Sequence, residues 1–219
     1  FNPDTEVTKN RYLRGSHLGD LIPSNLKGGN MFISYDWEDG TTLYSYNSFI
    51  LYKRFLDHFE NVIQSSVFKK SPESIIPFYI EKTYDRVRMF VDKYGSHYLD
   101  SEFTINSKKY PTLNSLLKHI TDNVSILSQN DFYSNFHGDL QFDNIIYTSN
   151  DTFKYIDWRH SFAGLVDCGD LYYDLSKLYG GSILSYDALK CDNTISVSEG
   201  SSVLDISYPE YEQLSKFKD

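Results

Sequence analysis

"FHGDLQFDNIIYTSNDTFKYIDW", residues 136–158, is the stretch on which the reading of this chain turns. Two short apolar runs, "NIIYTS" and "TFKYID", flank the polar turn "NDT", so they are expected to pair as a β-hairpin. That pairing puts Asn144 at the start of the first strand and Asp157 at the end of the second, on one edge. Asp139 lies five residues before Asn144, at the mouth of the same loop. Phosphoryl transfer to an alcohol asks little covalent chemistry of a protein. It needs a carboxylate to take the hydroxyl proton, and oxygen ligands to hold Mg²⁺ against the phosphates. Asp139 suits the first task. Asn144 and Asp157 suit the second, because Mg²⁺ prefers hard oxygen donors and keeps several waters.

The rest of the sequence bounds this reading. The 219 residues suffice for one good core, or for a large and a small lobe. Charged residues make up 23% and hydrophobic ones 40%, an ordinary globular balance with no signature of disorder. A formal charge of -9 argues against a nucleic-acid backbone as partner and is compatible with a cationic small substrate. Cys168 and Cys191 form neither a metal pattern nor a disulfide framework, so a reducing, cytoplasmic setting is expected. No apolar run is long enough to span a membrane. The opening "FNPDTEVTKN" lacks a signal-peptide pattern and a starting Met, and reads as the start of a fragment.

Along the chain, residues 3–16 read as a helix capped by Asp4 or Thr5, with Gly15 near its end. "MFIS" reads as a short strand and "DWEDG" as a turn. Residues 44–65 place Phe49, Tyr52, Phe55, Leu56, Phe59 and Ile63 at helical spacing. A second long helix is expected from Ser71 as N-cap, with Pro72 at its first position, Pro77 able to delay or kink it, and Gly95 closing it. A third is entered through Pro111. Short β-rich segments follow, then a helix over 169–180, and "NTISVSEGSSVLDISYP" alternates like a hairpin around "SEG". The class is α+β.

H-G-D-L-x-x-x-N, a hydrophobic-Asp-Trp and "GDLYYDLSKL" together resemble the aminoglycoside phosphotransferase and choline kinase superfamily, small-molecule kinases related in fold to protein kinases. An HGD triplet alone arises by chance in about one chain in thirty of this composition; the combination is far more specific. The resemblance implies a protein-kinase-like fold: mostly the helical C-lobe over 44–219, with a remnant of the N-lobe, a helix plus hinge strand, over 1–43. It implies ATP and Mg²⁺ as cofactors and a small-molecule alcohol as acceptor. Asp139 would be the catalytic base, Asn144 and Asp157 the metal ligands, and Asp174 a brace for the catalytic loop. Backbone groups around Ser34, Tyr35, Asp36 and Trp37 would meet adenine, and Glu6 would be the glutamate that pairs with the ATP-binding lysine. Ser176 stands where the family usually has Ala. The Gly-rich phosphate-covering loop and the strand lysine have no counterpart in these residues and are expected before residue 1. Residues 1–219 alone are therefore expected to bind ATP poorly.

Blander readings stand beside these. His137 reads as a loop brace, since Asp139 suffices as base. Trp158 and Arg159 could touch substrate or phosphate, or be a packing Trp and a surface Arg. Trp37 could stack on a base or fill an interface between lobes. A protein kinase fits less well, because Gly138 occupies the place of the arginine that precedes the catalytic aspartate there, and no A-P-E motif follows. A catalytically deficient kinase-like binding module is the alternative reading; a two-metal phosphohydrolase would need several more ligands. The acidic charge favours an amine-bearing alcohol such as choline, ethanolamine or an amino sugar, with a neutral sugar or polyol open.

Overall fold

The computed structural model describes residues 3–129, 131–183, 196–200, 203–207 and 216; Cys191 lies outside them. Asp4 caps the first helix, its carboxylate accepting the Glu6 and Val7 N–H groups, and α1 runs over Thr5–Leu18. Gly15 falls inside α1, whose end comes instead at Gly19, with φ 53°. Then come β1 (Lys27–Gly28), β2 (Ile33–Ser34) and β3 (Gly40–Thr42). The strand expected over "MFIS" is thus only its second half.

The helix expected over 44–65 is two helices, α2 (Leu43–Tyr46) and α3 (Phe49–Gln64). Asn47 adopts the left-handed conformation between them, and Ser48 caps the second. Leu51, Tyr52, Phe55, Phe59 and Val62 are buried, while Leu56 is exposed. β4 (Phe68–Lys70) follows. The next helix, α4, spans Ile75–Tyr94 with Ser74 rather than Ser71 at its N-cap position. Pro77 then falls at the third helical position, where its missing N–H costs nothing. Gly95 ends α4 with φ 100°.

A hairpin that the sequence pattern did not reveal comes next, β5 (Phe103–Ile105) and β6 (Lys108–Tyr110), turning through Asn106 and Ser107 at positive φ. α5 (Leu113–Asn123) starts from a Thr112 cap. β7 (Asp131–Tyr133), β8 (Ile145–Thr148) and β9 (Phe153–Tyr155) lead to β10 (Gly169–Asp170) and α6 (Leu171–Ile183). The expected hairpin near the end forms from β11 (Ser196–Gly200) and β12 (Val203–Ser207), with "SEG" inside β11 rather than at the turn. The class is α+β.

The pairing is almost wholly antiparallel. The small sheets run β1-β2, β3-β8-β9, β10-β7-β4 and β11-β12-β5-β6, with β12 and β5 parallel. The 145–155 hairpin has the register Ile145↔Tyr155, Ile146↔Lys154, Tyr147↔Phe153. The chain forms two compact units, which do not divide at 43/44. One holds described residues 3–70, 131–183 and 216; the other holds 71–129, 196–200 and 203–207. In the first unit Phe55 is the hub of an aromatic core. Its ring lies 5.4 Å from Phe153, 6.1 Å from Phe59, 6.3 Å from Tyr155 and 6.4 Å from Phe142. α3 is thereby fastened to the second hairpin strand, β9, and to the loop that feeds the hairpin. No helix among the described residues is long and apolar enough to cross a membrane.

Candidate active site

The loop at 136–144 is held from beneath by α6. Asp174, fully buried on its first turns, accepts the backbone N–H of His137 at 2.7 Å, that of Gly138 at 2.8 Å and the Tyr133 hydroxyl at 2.5 Å. Burial pushes the Asp174 carboxyl up to about 6, although these three donors and Arg14 favour its charged form. Arg14, buried on α1, donates to the carbonyls of Phe136 and Val166 and lies over the Phe136 ring. Gly138 has φ 86°, and a Cβ there would lie 2.6 Å from Arg159 Cβ. Both the conformation and the space call for glycine.

His137 is an internal strut. Its Nε2 lies 2.9 Å from the Ile156 carbonyl, and its Nδ1 accepts the Asp139 N–H at 3.1 Å. The bond accepted at Nδ1 places the ring proton on Nε2. Burial drives its pKa down to about 4, so the imidazole is neutral near pH 7. Arg159 returns from the hairpin to the loop, donating its N–H to the His137 carbonyl at 2.9 Å and its Nε to the Gly138 carbonyl at 3.2 Å. It reads as a clamp on the loop. Trp158 is buried, with its indole N–H donated to the Arg11 carbonyl at 2.8 Å, and it also lines a cavity.

On this frame hydrogen bonds that involve the backbone link the neighbourhoods of the three residues singled out by spacing. Asn144 Nδ2 donates to the Asp139 carbonyl at 2.8 Å. That bond spends the amide nitrogen and leaves Oδ1 as the acceptor. The Asn144 carbonyl in turn accepts the Ile156 N–H at 3.0 Å, which sets Asn144 across the ladder from the residue before Asp157. Asp157, two residues beyond β9, takes the left-handed conformation, φ 54°, turning the chain sharply as its exposed carboxylate faces Arg11 at 3.4 Å. An amide oxygen and a carboxylate are both of the donor type that suits a hard cation, which completes its shell with water and phosphate oxygens. Among the described residues no group of three or more His, Cys, Asp or Glu side chains is placed to hold a metal.

Asp139 itself is partly sheltered. Burial alone would raise its pKa, but hydrogen bonds from Lys177 and Gln141, with the charge of Arg159 nearby, outweigh this and lower it. Sequence reasoning missed both Lys177 and Gln141. Gln141 follows Asp139 by two residues; Lys177 follows Asp174 by three on α6, so helical spacing from the bracing aspartate was the signal for it.

The residues expected around a nucleotide are distributed unevenly. Ser34 and Tyr35 line a cavity of about 480 Å³ together with Arg11, Ile33, Ile156, Asp157 and Trp158. Asp36 turns away from it: its N–H goes to the Ser24 carbonyl and its carboxylate accepts from Asn25 at 2.6 Å. Trp37 is 92% exposed and neither fills an interface nor stacks within the described residues. Glu6 lines a different cavity with Lys9, Tyr12 and Gly28–Asn30. The helix residue that faces Asp157 is Arg11, five positions further along α1.

No family model matches this chain, and no curated protein or solved structure matches it either.

Proposed function

We propose that this protein is an ATP- and Mg²⁺-dependent phosphotransferase with a small-molecule alcohol as acceptor, of the aminoglycoside phosphotransferase and choline kinase type and with a protein-kinase-like fold. The observation that carries the reading is the bond from the Asn144 amide to the Asp139 carbonyl, with Asp157 one residue beyond Asn144's ladder partner. That arrangement ties the candidate base to both candidate metal ligands through one backbone frame. Asp139, ionised, accepts the proton of the acceptor hydroxyl as its oxygen attacks the γ-phosphorus. Asn144 Oδ1 and the Asp157 carboxylate hold the cation, which when bound neutralises phosphate charge. The cavity between Ser34, Tyr35 and Trp158 is large enough, at about 480 Å³, to receive a purine beside Asp157.

The charges nearest Asp139 are cationic, Lys177 and Arg159. The overall charge of -9 is therefore not a local argument for an amine next to the reacting hydroxyl. A binding-only reading has one observation in its favour, the Arg11 guanidinium resting against Asp157 where a cation would sit.

Transfer of labelled γ-phosphate from MgATP to choline, ethanolamine, glucosamine or glycerol by the natural protein tests the proposal. Asp139→Ala is expected to cut turnover by about 10²–10⁴-fold without unfolding the protein. Near-normal turnover in that variant would remove Asp139 from its role. Nucleotide binding without transfer to any acceptor would favour the binding module.

A further inference from the structure

Both hydrogen bonds to the Asp139 side chain converge on a single oxygen. Gln141 Nε2 lies 2.8 Å from Oδ1, and Lys177 Nζ lies 2.9 Å from the same atom. Neither donor is a loose surface group. Gln141 is 8% exposed, and the Lys177 and Asp139 side chains are 23% and 29% exposed. Surface pairs such as Lys53–Asp57 are 65% and 62% exposed, and they are screened accordingly. Lys177 also comes from the element that holds the loop, since Asp174 lies one turn before it on α6 and takes the His137 and Gly138 N–H groups. One helix thus fixes both the backbone of the loop and the carboxylate that projects from it. The ammonium is further steadied 5.9 Å from the centre of the Tyr173 ring.

We propose that Lys177 is a positioning residue for Asp139: with Gln141 it occupies Oδ1, stops the carboxylate rotating, and so assigns Oδ2 as the oxygen that takes the acceptor's proton. The inference rests on the phosphotransfer reading and adds to it which atom acts and which side chains aim it. In the step itself the alcohol oxygen bonds to the γ-phosphorus and the bond from phosphorus to the β–γ bridging oxygen breaks. ADP leaves with that electron pair, and the hydroxyl proton passes to Oδ2 and then to solvent. A carboxylate free to rotate would spend much of its time with the wrong oxygen presented, and misplacement by about 1 Å can cost on the order of 10²-fold in rate.

The test compares the natural protein with Lys177→Met, Lys177→Arg and Gln141→Leu, using MgATP with the same four alcohols. Lys177→Met is expected to lower kcat by about 10–100-fold while the KM for ATP and alcohol stays within about twofold. Arginine should restore most of the loss, and Gln141→Leu should cost less than methionine at 177. Should Lys177→Met fail to fold, Lys177→Gln takes its place. A second readout needs no turnover: carbodiimide treatment of the free protein should join the Lys177 amine to the Asp139 carboxyl, seen by peptide mass spectrometry. A methionine variant with kcat within about threefold of the parent, or a parent that forms no 139–177 cross-link, overturns the proposal and leaves the phosphotransfer reading standing. A cross-link in a protein that phosphorylates none of the four alcohols overturns that reading, and the proposal with it.

Discussion

The two compact units of this protein bury their side chains very differently. Among the described residues, the unit containing 3–70 and 131–183 holds every buried polar group and every buried apolar one except Ile75 and Leu117. The other unit displays Met89, Phe90, Tyr94, Leu116, Ile120 and Ile126 at the surface. The candidate site lies wholly in the first unit. The loop over 136–144, with its buried neutral histidine, is built where packing is dense, because close-packed interiors resist small displacements.

Truncation of a core ring is the strongest way to break this comparison. Phe55→Ala removes the ring that joins α3 to β9 and to Phe142 and is expected to cost about 3–5 kcal/mol. Phe90→Ala, at a position 37% exposed on α4, is expected to cost under about 1 kcal/mol. Urea unfolding of the two variants checks this, and equal losses would mean that the second unit is packed as tightly as the first.

The polar core supplies a subtler test. His137 has its pKa depressed from 6.5 to about 4, so the native state binds fewer protons than the unfolded chain between those values. Its contribution is complete above about pH 6.5 and is lost as pH falls through about 4. The shift corresponds to about 3 kcal/mol. Asp174, raised to about 6, acts with the opposite sign: its contribution is complete below about 3.8 and is lost as pH rises through about 6. Wild type therefore mixes two opposed effects, and His137→Gln separates them. The stability advantage of wild type over that variant is expected to shrink by about 3 kcal/mol from pH 7 to pH 4. An advantage independent of pH would mean that the ring titrates as it does in water.

A more local test concerns the third donor to Asp174. Tyr133→Phe leaves that carboxylate one bond short inside the core and is expected to cost about 1–3 kcal/mol. A neutral outcome, in the same urea assay, would show that the two backbone N–H groups hold Asp174 by themselves.

Much of this architecture was legible because its signals are local. The alternation and turn residues of 144–157 specified the hairpin, whose paired residues run from Ile145 to Tyr155. The Asp4 cap and the stop of α4 at Gly95 were equally local. What escaped has identifiable causes. The β5–β6 hairpin is three residues a side and turns through Asn106 and Ser107, too short for its period to show between long helices. The break at Asn47 hid between two stretches that each read as helical, and Leu56, next to Phe55 on the rim of the apolar stripe, falls on its exposed side.

By itself, then, the sequence determined the hairpin and the loop that precedes it, because period, turn chemistry and short spacing act over a few residues. Only the tertiary structure decided that Asp174 would carry the loop, that Arg14 would be buried against Phe136, and that Lys177 would reach Asp139 from 38 positions away. Those contacts join segments remote along the chain, and no local propensity encodes which remote side chain arrives.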